Sequence, residues 1–366
     1  MTSLAEIETP APLVDLDRLA ANIDRAAAYA TAHHISLRPH VKTHKSPIVA
    51  SQQLDRGAVG LTCATAREVE VMAGVTDDLL FAYPPIGAPR LHHLLSVPEH
   101  VRLTVSLDSV AAIDALADAA ARARRSVRVY VEIDVGMHRV GVTSAEHAVA
   151  LARRVSRRKE LEYAGLAFYA GHIREPVGDQ DPSLARLNAD LQVILDALTA
   201  AGLAPEAVSG GSTPTLWRSH ELSGVTEIRP GTYVFNDRTT AELGACALSD
   251  CALTVLATVV STAVPGQVVV DAGVKALGRE PLRAIDGDGY GVVADHPDVV
   301  VARMSEEHGI LDLRNTSWRP SVGELVRIIP NHVCIVVHLN DLVYGVRGDR
   351  VETTWPVAAR GRHRPS

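Results

Sequence analysis

Two of the four lysines in this chain, Lys42 and Lys45, fall inside one short run, Arg38-Pro39-His40-Val41-Lys42-Thr43-His44-Lys45. The other two, Lys159 and Lys275, are scattered, and the chain otherwise takes its positive charge from arginine. A guanidinium stays protonated, whereas a partly desolvated ammonium can release its proton and attack a carbonyl. Lysine beside two histidines therefore points to an amine kept for imine formation. Its competing reading is a surface ion pair, the usual fate of a lysine.

A second chemical feature is the run Ser209-Gly210-Gly211-Ser212-Thr213-Pro214-Thr215. Two glycines let backbone approach an anion closely, and Ser212 and Thr213 offer hydroxyl and amide donors, a combination suited to a phosphate. Gly231 and Thr232, in Arg229-Pro230-Gly231-Thr232-Tyr233, add a neighbouring loop of the same kind. Either loop alone reads equally well as a turn with a helix cap. Two of them together with an unusual lysine favour pyridoxal phosphate, the commonest aldehyde cofactor that binds both ways. Lys42 is preferred over Lys45 for the imine, because Lys45 lies three residues further into a loop or first helical turn.

Two further groups stand out. Arg139 follows Gly136 in Asp134-Val135-Gly136-Met137-His138-Arg139, where it could reach a cofactor ring or pair with Asp134. His332 and Cys334, in Pro330-Asn331-His332-Val333-Cys334, stand at the start of an apolar run read as a strand, Val333–Leu339. On a strand, residues two apart share a face, so one imidazole and one thiolate could grip a single divalent ion, with zinc the first choice. Taken alone, this pair is more often a buried cysteine beside a loop histidine.

Elements able to position these residues are legible in the patterning. From Ala11 to about Val234 short apolar runs alternate with alanine-rich amphipathic stretches. The strand-like runs are Ile35–Pro39, Val59–Cys63, Leu79–Tyr83, Leu103–Leu107, Val127–Ile133, Gly165–Tyr169, Ala207–Gly210 and Glu227–Arg229. Ser109–Arg125, Ser144–Arg157 and Pro182–Ala201 read as helices, with Asp108 and Ser144 at N-cap positions. Eight such units predict a (β/α)8 TIM-type barrel, with its reactive groups at the ends of the strands. Lys42, Cys63, Asp134, Tyr169 and His172, the Ser209–Thr215 run and Gly231 all follow such ends. An open doubly wound sheet is the rival, and it lacks a GxGxxG turn. Beyond about Leu243 valine-rich runs take over, including Leu253–Val264, Gln267–Val270, Val299–Arg303, Leu325–Ile329 and Leu342–Val346. They predict a mostly β domain, with hairpin turns at Val264–Gln267 and Leu339–Asp341. The expected division is a barrel over 11–240 and a β domain over 241–359, with tails at 1–10 and 360–366.

Composition narrows the function classes. A net charge of −7 offers no footprint for nucleic acid or an anionic membrane surface. No apolar run approaches the roughly 18 residues of a membrane span, and the acidic N-terminal stretch does not read as a secretory signal. Four cysteines without a CxxC pair describe neither a disulfide framework nor a zinc knot, which favours a reduced cytoplasmic enzyme.

Taken in order, RPHVKTHK, EIDVGMHRVGV, SGGSTPT, RPGTYVFND, SEEHG and PNHVC resemble the D-threonine aldolase / D-serine dehydratase family, from about Thr9 to Trp355. These are fold-type III pyridoxal-phosphate enzymes related to alanine racemase. The resemblance implies an alanine-racemase-type barrel followed by the β domain, a homodimer, and β-hydroxy-D-amino acids as substrates. It implies Lys42 as the attachment point and α-proton base, and Gly211, Ser212, Thr213, Gly231, Thr232 and Tyr233 around the phosphate. Tyr169 and His172 match a loop near the cofactor, Arg139 the arginine of DxGxxRxG, and His308 a position lining the site. His332 and Cys334 match a divalent-metal pair, for Zn2+ first and Mn2+ or Mg2+ next. The histidine–cysteine pair favours dehydration to a 2-oxo acid and ammonia over retro-aldol cleavage. A racemase using Tyr344 as a second acid/base and a non-catalytic pyridoxal-phosphate carrier are further readings.

Overall fold

The computed structural model describes residues 3–282 and 289–361, so of the expected tails at 1–10 and 360–366 only residues 1–2 and 362–366 lie outside the described residues. The chain forms two compact units. One holds residues 25–42 and 47–231; the other is built from 3–24, 43–46 and 232–360.

The first unit is the expected barrel. Its strands are β2 (Ser36–Leu37), β3 (Leu61–Cys63), β4 (Asp78–Phe81), β5 (Arg102–Leu107), β6 (Val127–Glu132), β7 (Leu161–Ala167), β8 (Ala207–Gly210) and β9 (Glu227–Ile228); β1 (Ala11–Asp15) belongs to the other unit. All eight pair in parallel, in the order β2-β9-β8-β7-β6-β5-β4-β3. A parallel bridge from His40 to Thr62 joins the two ends, so the sheet closes and the open-sheet rival falls. Helices run between the strands, among them α5 (Val110–Ala123), α6 (Ala145–Ser156) and α7 (Asp181–Ala200). Ser144 caps α6 as expected, but the cap of α5 is Ser109, whose hydroxyl accepts from Ala112 N (3.4 Å). Asp108, expected in that role, instead accepts from Gly141 N (3.1 Å) and ties the β5 and β6 loops together.

Inside the strands lies a buried polar network. The Arg38 guanidinium donates to Asp78 (2.8 and 3.2 Å) and to Glu227 (2.7 Å). Ser209 donates to Glu227 (2.5 Å), and Arg229 donates to Ser209 (2.6 Å) and to Phe168 O (2.9 Å). Burial favours a neutral Asp78, but hydrogen bonds and charge from Arg38 and then Arg102 outweigh it and hold its carboxyl below the usual range. Asp78→Asn leaves a buried guanidinium short of one counter-charge, and urea unfolding should show a loss of about 3–5 kcal/mol at neutral pH. A depressed pKa stabilises the fold above the unfolded value of about 3.9 and ceases to do so as pH falls through the folded value. The two proteins should therefore converge in stability in acid, and a pH-independent gap would refute the assignment.

The second unit carries β1 (Ala11–Asp15) with β10 (Leu253–Ser261), β11 (Gln267–Val270), β12 (Gly291–Val293), β13 (His296–Met304), β14 (Gly309–Asp312), β15 (Leu325–Pro330), β16 (Leu342–Arg347) and β17 (Arg350–Pro356). Their order is β11-β14-β13-β12-β15-β10-β1-β16-β17, and a further pairing of β11 with β10 closes six of them into a barrel. β1 pairs parallel with β16 and antiparallel with β10, so a segment from the N-terminus completes this sheet. Its apolar face (Leu13, Leu256 and Val346, with Leu4, Ile7 and Val351) forms one core cluster. The turn at Val264–Gln267 joins β10 to β11 as expected.

Two expectations fail here. Val333–Leu339 is the helix α10, not a strand, and Leu339–Asp341 therefore links a helix to β16 and is no hairpin turn. The run is β-branched, which favours a strand, yet Val333, Val336 and Val337 are its buried residues. That spacing of three and four is a helical face, and packing overrides propensity.

Candidate active site

In the barrel unit, the cationic residues converge on one ring. Lys42 lies beyond β2, with its Nζ 5.5 Å from the centroid of the Tyr169 ring, and Tyr169 follows β7. The Arg139 guanidinium carbon, beyond β6, lies 4.8 Å from the same centroid. Both distances are within cation–π range. Arg139 is thus drawn to Tyr169 and not to Asp134, whose carboxylate accepts from the backbone of Gly136 (2.9 Å) and His138 (3.1 Å) and faces the His138 ring (3.3 Å). Lys42 N donates to His40 Nδ1 (3.3 Å), a local reason for a histidine two residues before it. Lys45 is buried in the turn before α2 (Pro47–Asp55), with φ +52°.

His172 packs against Gly136: a Cβ there would come within 3.0 Å of His172 Nε2. Its Nδ1 is buried without a hydrogen-bond partner. Burial pushes the imidazole pKa down, opposed by the charges of Asp134 and Glu175. A neutral histidine is a usable proton acceptor. It borders a cleft of about 720 Å³ lined also by Asp134, Ser183, Arg186 and Asp190.

The loop after β8 tests whether a phosphate-bearing cofactor fits. Gly211 has φ +83°, and nothing lies nearer than 3.5 Å to the place a Cβ would occupy. Ser212 and Thr213 are buried, and the turn is braced by Thr215, whose hydroxyl accepts from Ser212 N (3.2 Å). Ser209 is diverted into the buried network. The run Gly210–Thr213 contains no carboxylate, only small residues and hydroxyls. This donor set fits an anion. Gly231 ends the barrel unit and is buried; Tyr233, in the β unit, is buried and Thr232 half-buried.

In the β unit, His332 is the N-cap of α10 and Cys334 is the second residue of the helix, so the strand-face argument does not hold. The helix start nevertheless brings them together, with the Cys334 sulfur beside the imidazole. The Cys334 thiol also donates to Thr43 Oγ1 (3.4 Å). His332 Nδ1 donates to Asp237 Oδ2 (3.0 Å), which leaves Nε2 on the other side of the ring. Burial works to depress the His332 pKa, but the Cys334 sulfur and the Asp237 carboxylate outweigh it and push it up to about 10. Among the described residues no group of three or more His, Cys, Asp or Glu is arranged to hold a metal. An imidazole whose Nδ1 is held by Asp237 and an adjacent thiol fit a divalent ion as two donors, with other positions left to water or substrate. Asp237 lies within RPGTYVFND; its distance of 95 residues from His332 concealed the partnership.

Two other candidates belong to the β unit. His308 is exposed in the turn between β13 and β14. Tyr344 packs against the core cluster around Leu13 and Val346, an apolar setting for a group proposed as a second acid/base.

Comparison with known proteins supplies a frame for this geometry. A family model described as alanine racemase, N-terminal domain, matches residues 14–239, and a serine dehydratase domain model matches 252–346. A D-threo-3-hydroxyaspartate dehydratase of Delftia sp. (strain HT23) is 37% identical over 351 residues, spanning 91% of this chain and 92% of its own. The crystal structure of a D-threonine aldolase from Filomicrobium marinum matches with a TM-score of 0.88 at 35% identity, covering 98% of this chain and 97% of that one. A cysteine-to-alanine mutant of D-threo-3-hydroxyaspartate dehydratase in the metal-free form matches with a TM-score of 0.87 at 32% identity, covering 97% and 99%. None of the described helices is long and apolar enough to cross a membrane.

Proposed function

This chain belongs to the D-threonine aldolase / D-serine dehydratase family of alanine-racemase-like pyridoxal-phosphate lyases, and we propose that it dehydrates β-hydroxy-D-amino acids to 2-oxo acids and ammonia with the help of a divalent metal. The observation that carries the reading is the convergence of Lys42 and Arg139 on Tyr169, three residues from three separate strand ends of the barrel. Such convergence is what a barrel enzyme requires and what a surface lysine does not produce.

When bound, pyridoxal phosphate supplies an electron sink for the pair left at Cα, and a divalent cation supplies a Lewis acid toward the β-oxygen. The residues of the chain do the rest. Lys42 holds the cofactor and takes the α-proton on its Nζ. Tyr169 forms a wall for the cofactor, and Arg139 brings positive charge to it. Gly211, Ser212 and Thr213, with Gly231, Thr232 and Tyr233, bind the phosphate. His172, kept neutral by burial, moves a proton at the β-hydroxyl. His332 and Cys334 hold the metal, and a thiolate with an imidazole favours Zn2+ over Mn2+ or Mg2+. The hydroxyl leaves as water, and the released enamine hydrolyses to the 2-oxo acid and ammonia. His308 receives no step. Four cysteines outside any disulfide support a reducing cytoplasmic setting, and the assembly we assign is a homodimer, as the family resemblance implies.

Dehydration is preferred to retro-aldol cleavage because the residue two positions after His332 is Cys334 and not an aspartate, and because of the dehydratase relative at 37% identity. A product assay on D-serine, D-threonine and 3-hydroxy-D-aspartate separates the two. We expect 2-oxo acid from at least one of the three, lost to a chelator and regained with Zn2+. Glycine and aldehyde as the only products would replace the dehydratase by an aldolase.

A further inference from the structure

We infer that Asp237 is the positioning residue of the metal site: by accepting from His332 Nδ1 it selects Nε2 as the nitrogen that binds the metal. The inference rests on the reading of His332 and Cys334 as metal ligands, and goes beyond it to the residue that makes the imidazole competent.

Each oxygen of this carboxylate has its own task. Oδ1 accepts from Thr240 N and from Thr240 Oγ1, both at 2.9 Å, while Asp237 N donates back to Thr240 Oγ1 (2.8 Å), the capping box of α8 (Arg238–Glu242). That reciprocal cap fixes where the carboxylate stands. Oδ2 then accepts from His332 Nδ1 (3.0 Å) and from Val333 N (3.3 Å). One oxygen thus sets both the ring and the first turn of α10, the turn that carries Cys334. Asp237 is 1% exposed, so neither bond is weakened by water.

The chemistry of the pair follows. With a carboxylate opposite, Nδ1 must keep its hydrogen, and the ring coordinates through Nε2. A carboxylate behind a metal-binding histidine also raises its basicity as a ligand. An asparagine in its place keeps the cap, because its carbonyl still accepts from Thr240. Its amide, however, can donate to Nδ1 and so favour the tautomer with hydrogen on Nε2, which cannot bind a metal. The analogous exchange in serine-protease triads leaves geometry intact and traps the wrong tautomer.

The experiment is a cobalt(II) titration of the full-length, chelator-stripped protein, followed by the sulfur-to-cobalt charge-transfer band. Native protein and the variants Asp237→Asn, Asp237→Ser, His332→Ala and Asp237→Asn/His332→Ala are compared. Expected is a loss of roughly 10–100-fold in affinity for Asp237→Asn, with the band retained because Cys334 still binds. In the His332→Ala background the same exchange should cost much less, the remainder being what loss of the bond from Val333 N does to the turn that carries Cys334. A purely structural residue would weaken binding equally in both backgrounds. Serine also caps helices well but cannot reach the imidazole, so Asp237→Ser makes the same comparison if the asparagine protein does not fold. Binding by Asp237→Asn within twofold of native, or an equal loss with and without His332, overturns the inference while leaving the metal site in place. Native protein that binds no cobalt, or binds it unchanged in His332→Ala, removes the metal-site reading and this inference with it.

Discussion

Lys42→Ala protein will be colourless. The reading of Lys42 as the attachment point requires that its removal abolish the visible absorbance of the bound cofactor and lower turnover roughly 10⁴-fold or more, because one amine serves both as covalent anchor and as base. Lys45→Ala is the matched comparison. Lys45 lies three residues away, is the more buried of the two and sits in the turn that leads to α2, whereas it is Lys42 whose amine lies over the Tyr169 ring. It should keep the absorbance. Borohydride treatment of the native holoenzyme followed by peptide mass mapping gives an independent readout: the added cofactor mass should fall on the peptide at residue 42. Label at Lys45, or an intact spectrum in Lys42→Ala, would end the assignment.

The second large effect is expected at the metal pair. Stripping the metal, or making Cys334→Ala, should lower dehydration roughly 10³-fold, the several kcal/mol that a Lewis acid contributes toward a departing oxygen. Absorbance of the cofactor should survive in both cases, since the lysine and phosphate residues are untouched. The two losses differ in one respect. Zn2+ should restore the stripped native protein and leave Cys334→Ala well short of it, because one of two protein donors is gone. Elemental analysis should find one metal per chain in the native protein and a reduced content in the variant. Full 2-oxo acid production by metal-free protein would remove the metal from the reaction.

The raised pKa of His332 gives the pair a pH dependence of known sign. With its pKa pushed up to about 10, the metal-free ring is protonated at neutral pH, and an incoming ion must displace that proton. Apparent affinity should therefore rise with pH across the neutral range. Affinity flat from pH 6 to about 9 would speak against His332 as a ligand.

What the amino-acid order determined on its own was the set of local units. Barrel strands were marked by short apolar runs and the long helices by an apolar stripe, so the Ser144 cap and the helix read at Pro182–Ala201, found at Asp181–Ala200, were legible without tertiary help. Lys42, Arg139 and Tyr169 were readable as candidates because strand ends are where a barrel exposes its reactive groups. Their meeting at one ring was not readable, since it joins loops after β2, β6 and β7.

Tertiary structure decided the rest, wherever a long-range partner outweighed local preference. Val333–Leu339 has a strand's composition and is a helix, because burying Val333, Val336 and Val337 together gains more than β-branching loses. β1 sits at the head of the chain yet completes the C-terminal sheet, through pairing with β10 and β16 that no neighbouring residue announces. Asp237 caps α8 through one oxygen, and only folding turns its second oxygen toward His332. Hydrophobic periodicity and caps are written within a few residues, whereas a carboxylate's second partner is set by whichever donor the fold buries against it.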